Sequence, residues 1–221
     1  MTRVTKNHPT TAAHDYLPAA GRDAFLRFYD PLTALLGAAR VHRTLINQAA
    51  LAPGQRVLEI GCGTGNLAIR LKRTHPDVEV IGSDPDPLAI ARAQRKASGI
   101  RFERAYAQRL PYPDGSFDRV LSSLMLHHLD EETKIATAAE IQRVLRPGGS
   151  LHIVDFTGET HGIHGMLARR TFRSGHTADH HDGIPRLLNA AGLECDKLAV
   201  RQIGILGRAG YYRAVRKANQ Q

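Results

Sequence analysis

Val57-Leu58-Glu59-Ile60-Gly61-Cys62-Gly63-Thr64-Gly65 (VLEIGCGTG) is the stretch on which the fold turns. Val57 to Ile60, three of them apolar, read as a strand entering a glycine-rich turn. The helical pattern NLAIRLKRTH follows at once. A strand, a glycine turn and a helix N-terminus together let a ligand approach backbone amides closely. The glycines fall at 61, 63 and 65. A dinucleotide fingerprint beginning at Gly61 would need its third glycine at position 66, which is Asn66. No lysine followed by Ser or Thr comes after the turn, so this is not a phosphate-gripping loop. Glu59 stands two positions before the first glycine. Asp84 ends the next apolar run, where a carboxylate can accept two hydrogen bonds from a ribose diol.

Outward from this turn the same rhythm repeats. VEVIGSD is a strand and PLAIARAQRKAS a helix; IRFERAY is a strand, followed by the loop AQRLPYPDGS. FDRVLSSLML is a strand, DEETKIATAAEIQRVL a helix, RPGG a turn and SLHIVDF a strand. The RPGG turn is read as structural, since Pro and Gly stop a helix and redirect the chain by backbone geometry. A helix near Gly183–Ala191 stopped by Gly192, and strands near Glu194–Val200 and Tyr211–Arg216, complete the pattern. Alternating strands and helices of these lengths predict an α/β domain with a parallel sheet covered on both faces.

Two segments break the rhythm. Residues 1–14 are polar, and Asp15 to Leu51 carries apolar residues at helical spacing, interrupted at Asp30-Pro31 and Gly37, which predicts two or three short helices. Residues 156–178 are rich in Gly, His and Arg with little periodicity; a loop this long in a compact domain is usually functional or mobile. The division expected is an N-terminal helical lid or substrate segment, 1–50, before a catalytic domain, 51–221.

The chain has 221 residues, 42% of them hydrophobic, enough for a large core, and no run approaches the ~20 apolar residues of a membrane span. The N-terminus has no apolar signal region, and Cys62 and Cys195 lie too far apart in context to suggest a structural disulfide, so a reducing cytoplasm is expected. The net charge of +9 raises a nucleic-acid partner, but the basic residues are scattered through RLKRTH, ARAQRKASG and ARRTFR. The first two runs are read as solvent faces of helices, and no RNA-binding motif accompanies them, so no nucleic-acid partner is expected.

Taken together, VLEIGCGTG, VIGSDPDPLAIARA, LPYPDGSFDRVLSSLMLHHL and EIQRVLRPGG, in this order, resemble the landmarks of the class I S-adenosylmethionine-dependent methyltransferases. The UbiE-like small-molecule group is the nearest, and YLPAAGRDAFLRFYDPLTALLG is similar to the N-terminal helices of its members. The resemblance runs from about Arg56 to Phe156 and more weakly beyond. It implies a Rossmann-like, doubly wound sheet of seven strands, mostly parallel with an antiparallel last strand. It also implies S-adenosyl-L-methionine as cofactor. Glu59 with Gly61, Cys62, Gly63 and Gly65 would hold its methionine end, Asp84 its ribose, and Pro85, Tyr106 and Ala107 its adenine, with Ser122 on the pocket wall. Where the family commonly has an acidic residue before the LP pair, this chain has Tyr106, which can stack on or hydrogen-bond the base.

The implied reaction is in-line methyl transfer to a small-molecule acceptor, by a monomer or homodimer. Positioning alone can lower such a barrier by roughly 7–11 kcal/mol. A general base adds about 10²–10⁴-fold where the acceptor must lose a proton. His127 and His128, after the fourth strand, and Asp155, ending the fifth, are the catalytic candidates; Tyr16, His161 and His164 are further residues within reach of a lid. HTADHHD, with His176 and His180 four apart and Asp179, His181 and Asp182 beside them, raises a zinc site. No third ligand stands at a specific spacing and the aspartates suit a helix cap, so no metal is expected. The alternatives are an RNA or protein methyltransferase, against which SSLMLHH stands in place of an NPPY-type motif, and a cofactor-binding protein without catalysis.

Overall fold

A computed structural model describes residues 37–157, 183–204 and 207–218. In chain order its elements are α1 (Ala38–Ala49), β1 (Arg56–Ile60), α2 (Asn66–Thr74), β2 (Glu79–Asp84), α3 (Pro87–Lys96), β3 (Arg101–Arg104), β4 (Phe117–Ser123), a 3₁₀ turn (Leu126–His128), α4 (Glu131–Val144), β5 (Leu145–Phe156), α5 (Gly183–Ala190), β6 (Leu193–Ile203) and β7 (Gly207–Arg216). The seven strands form one sheet in the order β3-β2-β1-β4-β5-β7-β6. β1 to β5 pair in parallel, and β7 runs antiparallel to both β5 and β6. From β1 the chain steps outward through β2 and β3, then returns to place β4 on the other side. The strand order therefore reverses between β1 and β4, and the crevice at their carboxyl ends is where such a sheet takes a ligand.

Alternating side chains send two sets of apolar residues to the two faces. Val57, Leu121 and Val154 pack with Leu67 and Leu71 of α2, Ala93 of α3 and Val41, Leu45, Ile46 and Ala49 of α1. Leu58, Ile60, Val120, Leu151 and Ile153 pack with Ala138 and Ile141 of α4 and Leu188 of α5. Helix ends follow local chemistry. Asp86 Oδ1 accepts from the Leu88 and Ala89 amides at the start of α3, and Asp130 Oδ1 accepts from Thr133 N at the start of α4. At the far end of α4, Arg216 Nη1 donates to the carbonyls of Gln142, Arg143 and Leu145.

Three boundaries differ from expectation. β4 stops at Ser123 rather than running on to Leu126, because Leu124 takes a left-handed conformation (φ 56°) and turns the chain into the 3₁₀ turn. β3 stops at Arg104, since Tyr106 turns back to pair with Arg109. The RPGG turn survives as an excursion inside β5. Phe117 pairs with Leu145 and Arg119 with Ser150, so residues 146–149 loop out of the ladder, with Gly148 at φ 77°.

α1 belongs to the same core as the sheet, although it lies within the segment expected to form a lid. Thr44 hydrogen-bonds Tyr211, whose strand pairs it with Val154 near the carboxyl end of β5. Ala49 O accepts from Arg119, near the amino end of β4. α1 thus runs from the ligand-side rim down to the opposite edge. Tyr16, His161, His164 and the HTADHHD segment lie outside the described residues. No described helix is long and apolar enough to cross a membrane.

Candidate active site

The glycine turn is held from below and from the side. Gly65 N donates to Cys62 O (2.8 Å), and Cys62 N to Ser83 O at the end of β2 (3.0 Å). Gly61, Gly63 and Gly65 all have positive φ, at 68°, 50° and 78°. Met125 lies across Gly61 so closely that a Cβ there would overlap it. Gly65 and Gly82 flank the Phe102 ring, and a Cβ on either would come within 2.7 Å of it. Cys62 is buried, and burial together with the neighbouring Glu59 and Asp84 carboxylates pushes its thiol well above its ordinary range. That makes it a packing residue rather than a nucleophile.

Two carboxylates meet the turn. Asp84 Oδ2 accepts from Gly63 N (2.8 Å) and Oδ1 from Asp86 N (3.0 Å). A carboxylate has about four lone-pair sites, so two backbone bonds leave capacity for further donors. Burial raises the Asp84 pKa, and the bonds from Asp86 and Gly63 pull against that rise. Glu59 lies deeper, 4% exposed, with Oε2 accepting from Ala68 N in the first turn of α2 (2.7 Å). Burial pushes its pKa up to about 8, the Ala68 bond opposes this, and Asp84 adds to it. One Glu59 oxygen is therefore committed to anchoring the helix that follows the turn.

The sequence reading passed over Lys96. Its run was assigned to a solvent face, whereas Nζ donates to Thr64 O (2.8 Å), Thr64 Oγ1 (3.3 Å) and Asn66 Oδ1 (2.6 Å), clamping the glycine turn from the end of α3. Spacing could not reveal this, because 32 residues separate Lys96 from Thr64 and only the sheet order brings α3 over the turn. Phe102 and Met125 were also unremarked, since each reads as one apolar residue of a strand.

On the β3 side, Arg104 Nε donates to Pro85 O (3.0 Å) and Nη2 to the Tyr106 phenol (3.3 Å). Pro85, Tyr106 and the buried Ala107 are thereby gathered along one stretch of rim beyond Asp84. Ser122, paired with Ile60 at the point where the strand order reverses, is buried, and its Oγ has no hydrogen-bond partner among the described residues.

On the β5 side the three catalytic candidates come together. His127 Nδ1 lies 2.7 Å from Asp155 Oδ1, and His127 N donates to Asp155 Oδ2 at 3.3 Å. Asp155 Oδ1 also accepts from Phe156 N (2.7 Å). The Asp155 side chain is 2% exposed and that of His127 33%. The His128 ring stands 3.9 Å from the His127 ring, and the Phe156 ring meets His127 edge-on at 5.0 Å. Among the described residues no group of three His, Cys, Asp or Glu side chains could hold a metal ion.

Comparison with known proteins places the chain in a family. The family model described as a methyltransferase domain matches residues 57–149. Demethylmenaquinone methyltransferase of Deinococcus radiodurans is 40% identical over 152 residues, covering 66% of this chain and 62% of its own. The enzyme of the same name from Thermus thermophilus is 37% identical over 152 residues, covering 66% of this chain and 68% of its own. The chain thus spans about two thirds of the length of these relatives. The solved structure of a SAM-dependent methyltransferase from Methanosarcina mazei superposes with a TM-score of 0.67 at 22% identity, over 79% of this chain and 98% of that one, a likeness of fold. From the relatives' identity and coverage, the chain belongs to the class I S-adenosylmethionine-dependent methyltransferase family.

Proposed function

We propose that this protein binds S-adenosyl-L-methionine at the carboxyl ends of β1, β2 and β4 and transfers its methyl group to a small-molecule acceptor by in-line displacement. The observation that carries this reading is the Asp84–Gly63 hydrogen bond. It joins a strand-end carboxylate to the glycine turn at the switch point, so a diol acceptor and the turn's backbone face one ligand. The residues fit the cofactor in two further respects. The buried Ser122 Oγ lacks a partner among the described residues, and Pro85, Tyr106 and Ala107 line the rim beyond the ribose carboxylate.

When bound, the cofactor supplies a methyl group on a sulfonium, already a good leaving group. The protein's part is to hold and orient. Asp84 takes the ribose hydroxyls with its remaining lone pairs. The turn, clamped by Lys96 and anchored through Glu59 to α2, presents its backbone to the methionine end. Pro85, Tyr106 and Ala107 flank the base. The acceptor enters beside His127, and segments 1–50 and 156–178 select it. Gly37 stands at the rim end of α1 and Thr157 just beyond β5, so both segments meet the described structure where an acceptor would enter. The relatives' name, with a quinone acceptor in it, favours a small molecule over RNA or protein.

Isothermal calorimetry tests the reading. The wild type should bind S-adenosylmethionine and S-adenosylhomocysteine, and Asp84→Ala should weaken binding by about 1.5–3 kcal/mol per lost charge-assisted hydrogen bond. No binding by the wild type, or equal affinity in the variant, refutes it.

A further inference from the structure

We infer that the helical layer α1–α2–α3 docks on an anionic phospholipid surface and is held there by charge. Docking of this kind goes beyond the methyl-transfer reading and does not depend on it.

The basic runs are scattered in the chain, but the fold gathers them. α1 packs over β4 and β5, α2 over β2, and α3 over β2 and β3, all on one face of the sheet. α1 carries two arginines, and α2 and α3 each carry two arginines and a lysine, eight basic residues in all. None of the three helices contains an Asp or Glu. The opposite layer is balanced: on α4 and α5, Glu131, Glu132 and Glu140 stand against Lys134, Arg143 and Arg186. A bias in composition alone would load both layers alike.

The helix dipole sharpens the contrast. Acidic residues are favoured in the first turn of a helix and cations in the last. α4 begins with Glu131 and Glu132, whereas α1, α2 and α3 have no acidic residue in their first turns. Arg73 and Arg95 lie in the last turns of α2 and α3, where the dipole suits them. Arg40 stands in the first turn of α1, where it does not. Arg40, Arg43, Arg73 and Arg95 are exposed and form no ion pair among the described residues. Few acids offset them. Between Gly37 and Lys96, Glu59, Asp84 and Asp86 are buried, Glu79 is held by Arg56 at 2.8 Å, and Asp77 lies beyond the end of α2.

The form of the layer selects the partner. Helices packed side by side, about 8–10 Å apart, make a broad slab rather than a cleft. The exposed arginines spread across it, from the rim end of α1 to the far ends of α2 and α3. A nucleic-acid duplex is a rod of phosphates that a stripe or cleft follows; a bilayer is a plane of them, which a slab meets at many points at once. No Phe, Tyr or Trp lies on α1, α2 or α3, so nothing on these helices stacks on an unpaired base.

The test sediments the full chain with sucrose-loaded phosphatidylcholine vesicles, with or without about 30% phosphatidylserine, at about 0.1 M and about 0.5 M salt. The wild type should pellet with the phosphatidylserine vesicles at low salt, be released at high salt, and stay in solution with phosphatidylcholine alone. Each basic residue at such a surface contributes about fivefold, so Arg73→Gln with Arg95→Gln should bind about 25-fold more weakly. Lys134→Gln with Arg186→Gln removes the same charge from the opposite layer and should change binding by less than about twofold. Arg73→Lys with Arg95→Lys, which keeps the charge, should bind like the wild type. Adding Arg40→Gln and Arg43→Gln to the first pair should abolish pelleting. Urea midpoints and S-adenosylhomocysteine affinity should match the wild type in both pairs, so a failed cofactor assignment and a failed docking face are read separately. Four results overturn the proposal: no pelleting with phosphatidylserine, equal pelleting with phosphatidylcholine alone, equal weakening in the two charge-matched pairs, or tighter binding to a short RNA duplex than to vesicles at equal phosphate concentration. The last would assign the face to nucleic acid.

Discussion

Replacing Gly65 with alanine should destabilise the protein by about 2–5 kcal/mol, and the structure divides the cost in two. Gly65 sits at φ 78°, in the left-handed region, where a side chain costs roughly 1–2 kcal/mol. Its new Cβ would also stand 2.7 Å from two carbons of the Phe102 ring and 3.0 Å from Ala93 Cβ. On its other side the ring lies against Gly82 of β2, where an added Cβ would likewise come within 2.7 Å of it. Forcing atoms into a packed core costs about 1–3 kcal/mol. Phe102→Leu, alone costing up to about 1.5 kcal/mol, removes the ring edge but leaves the backbone strain. In the double variant the packing part should therefore be recovered and the strain retained. Urea unfolding of the wild type, both single variants and the double variant gives this cycle. A Gly65→Ala cost below about 0.5 kcal/mol, or strict additivity in the cycle, refutes the account of a ring wedged between two glycines.

Lys96→Met should weaken S-adenosylhomocysteine binding and lower stability by about 1–3 kcal/mol, since Thr64 and Asn66 lose a charged donor; equal calorimetry and equal unfolding midpoints would contradict this. Glu59, with its folded pKa raised to about 8, keeps its proton in the fold while the unfolded chain releases it. Its contribution is fully present below the unfolded value near 4.5 and is lost as pH rises to about 8. Glu59→Gln, which can still accept from Ala68 N, should flatten the fall in stability between those limits by up to about 1.4 kcal/mol per pH unit, read from urea midpoints across pH. His152 behaves oppositely. Burial and the nearby Arg119 and Arg213 push it down to about 3, so the unfolded chain takes up its proton first and stability drops as pH falls below about 6.5. His152→Gln should reduce that acid slope by up to about one proton, and an unchanged slope would show that His152 is charged in the fold.

The glycine turn, the two carboxylates and the strand–helix alternation were legible because each is local. A strand feeding a glycine run must turn where the glycines are, and Asp84 must end its strand because Pro85 and the Asp86 cap follow it. The pairing of His127 with Asp155 was legible only as two residues on one rim; their hydrogen bond depends on β4 and β5 being neighbours in register. Lys96 was misread because a lysine at a helix end has no local signature distinguishing solvent from a loop 32 residues earlier. The early end of β4 was missed because nothing in SSLML announces a left-handed leucine.

β7 is the last of the described strands, yet it is an interior strand of the sheet, between β5 and β6. Among the described strands, β6 pairs with β7 alone. During synthesis β6 therefore emerges with no place to dock, and the sheet cannot close past β5 until the final ten residues of β7 are available. A chain cut after Gly204 would lose more than an edge. It would strip β6 of its only partner, bare the side of β5 below the His127–Asp155 pair, and remove the Arg216 guanidinium that closes α4. The sheet beside the His127–Asp155 pair is thus completed only after the side that carries the glycine turn.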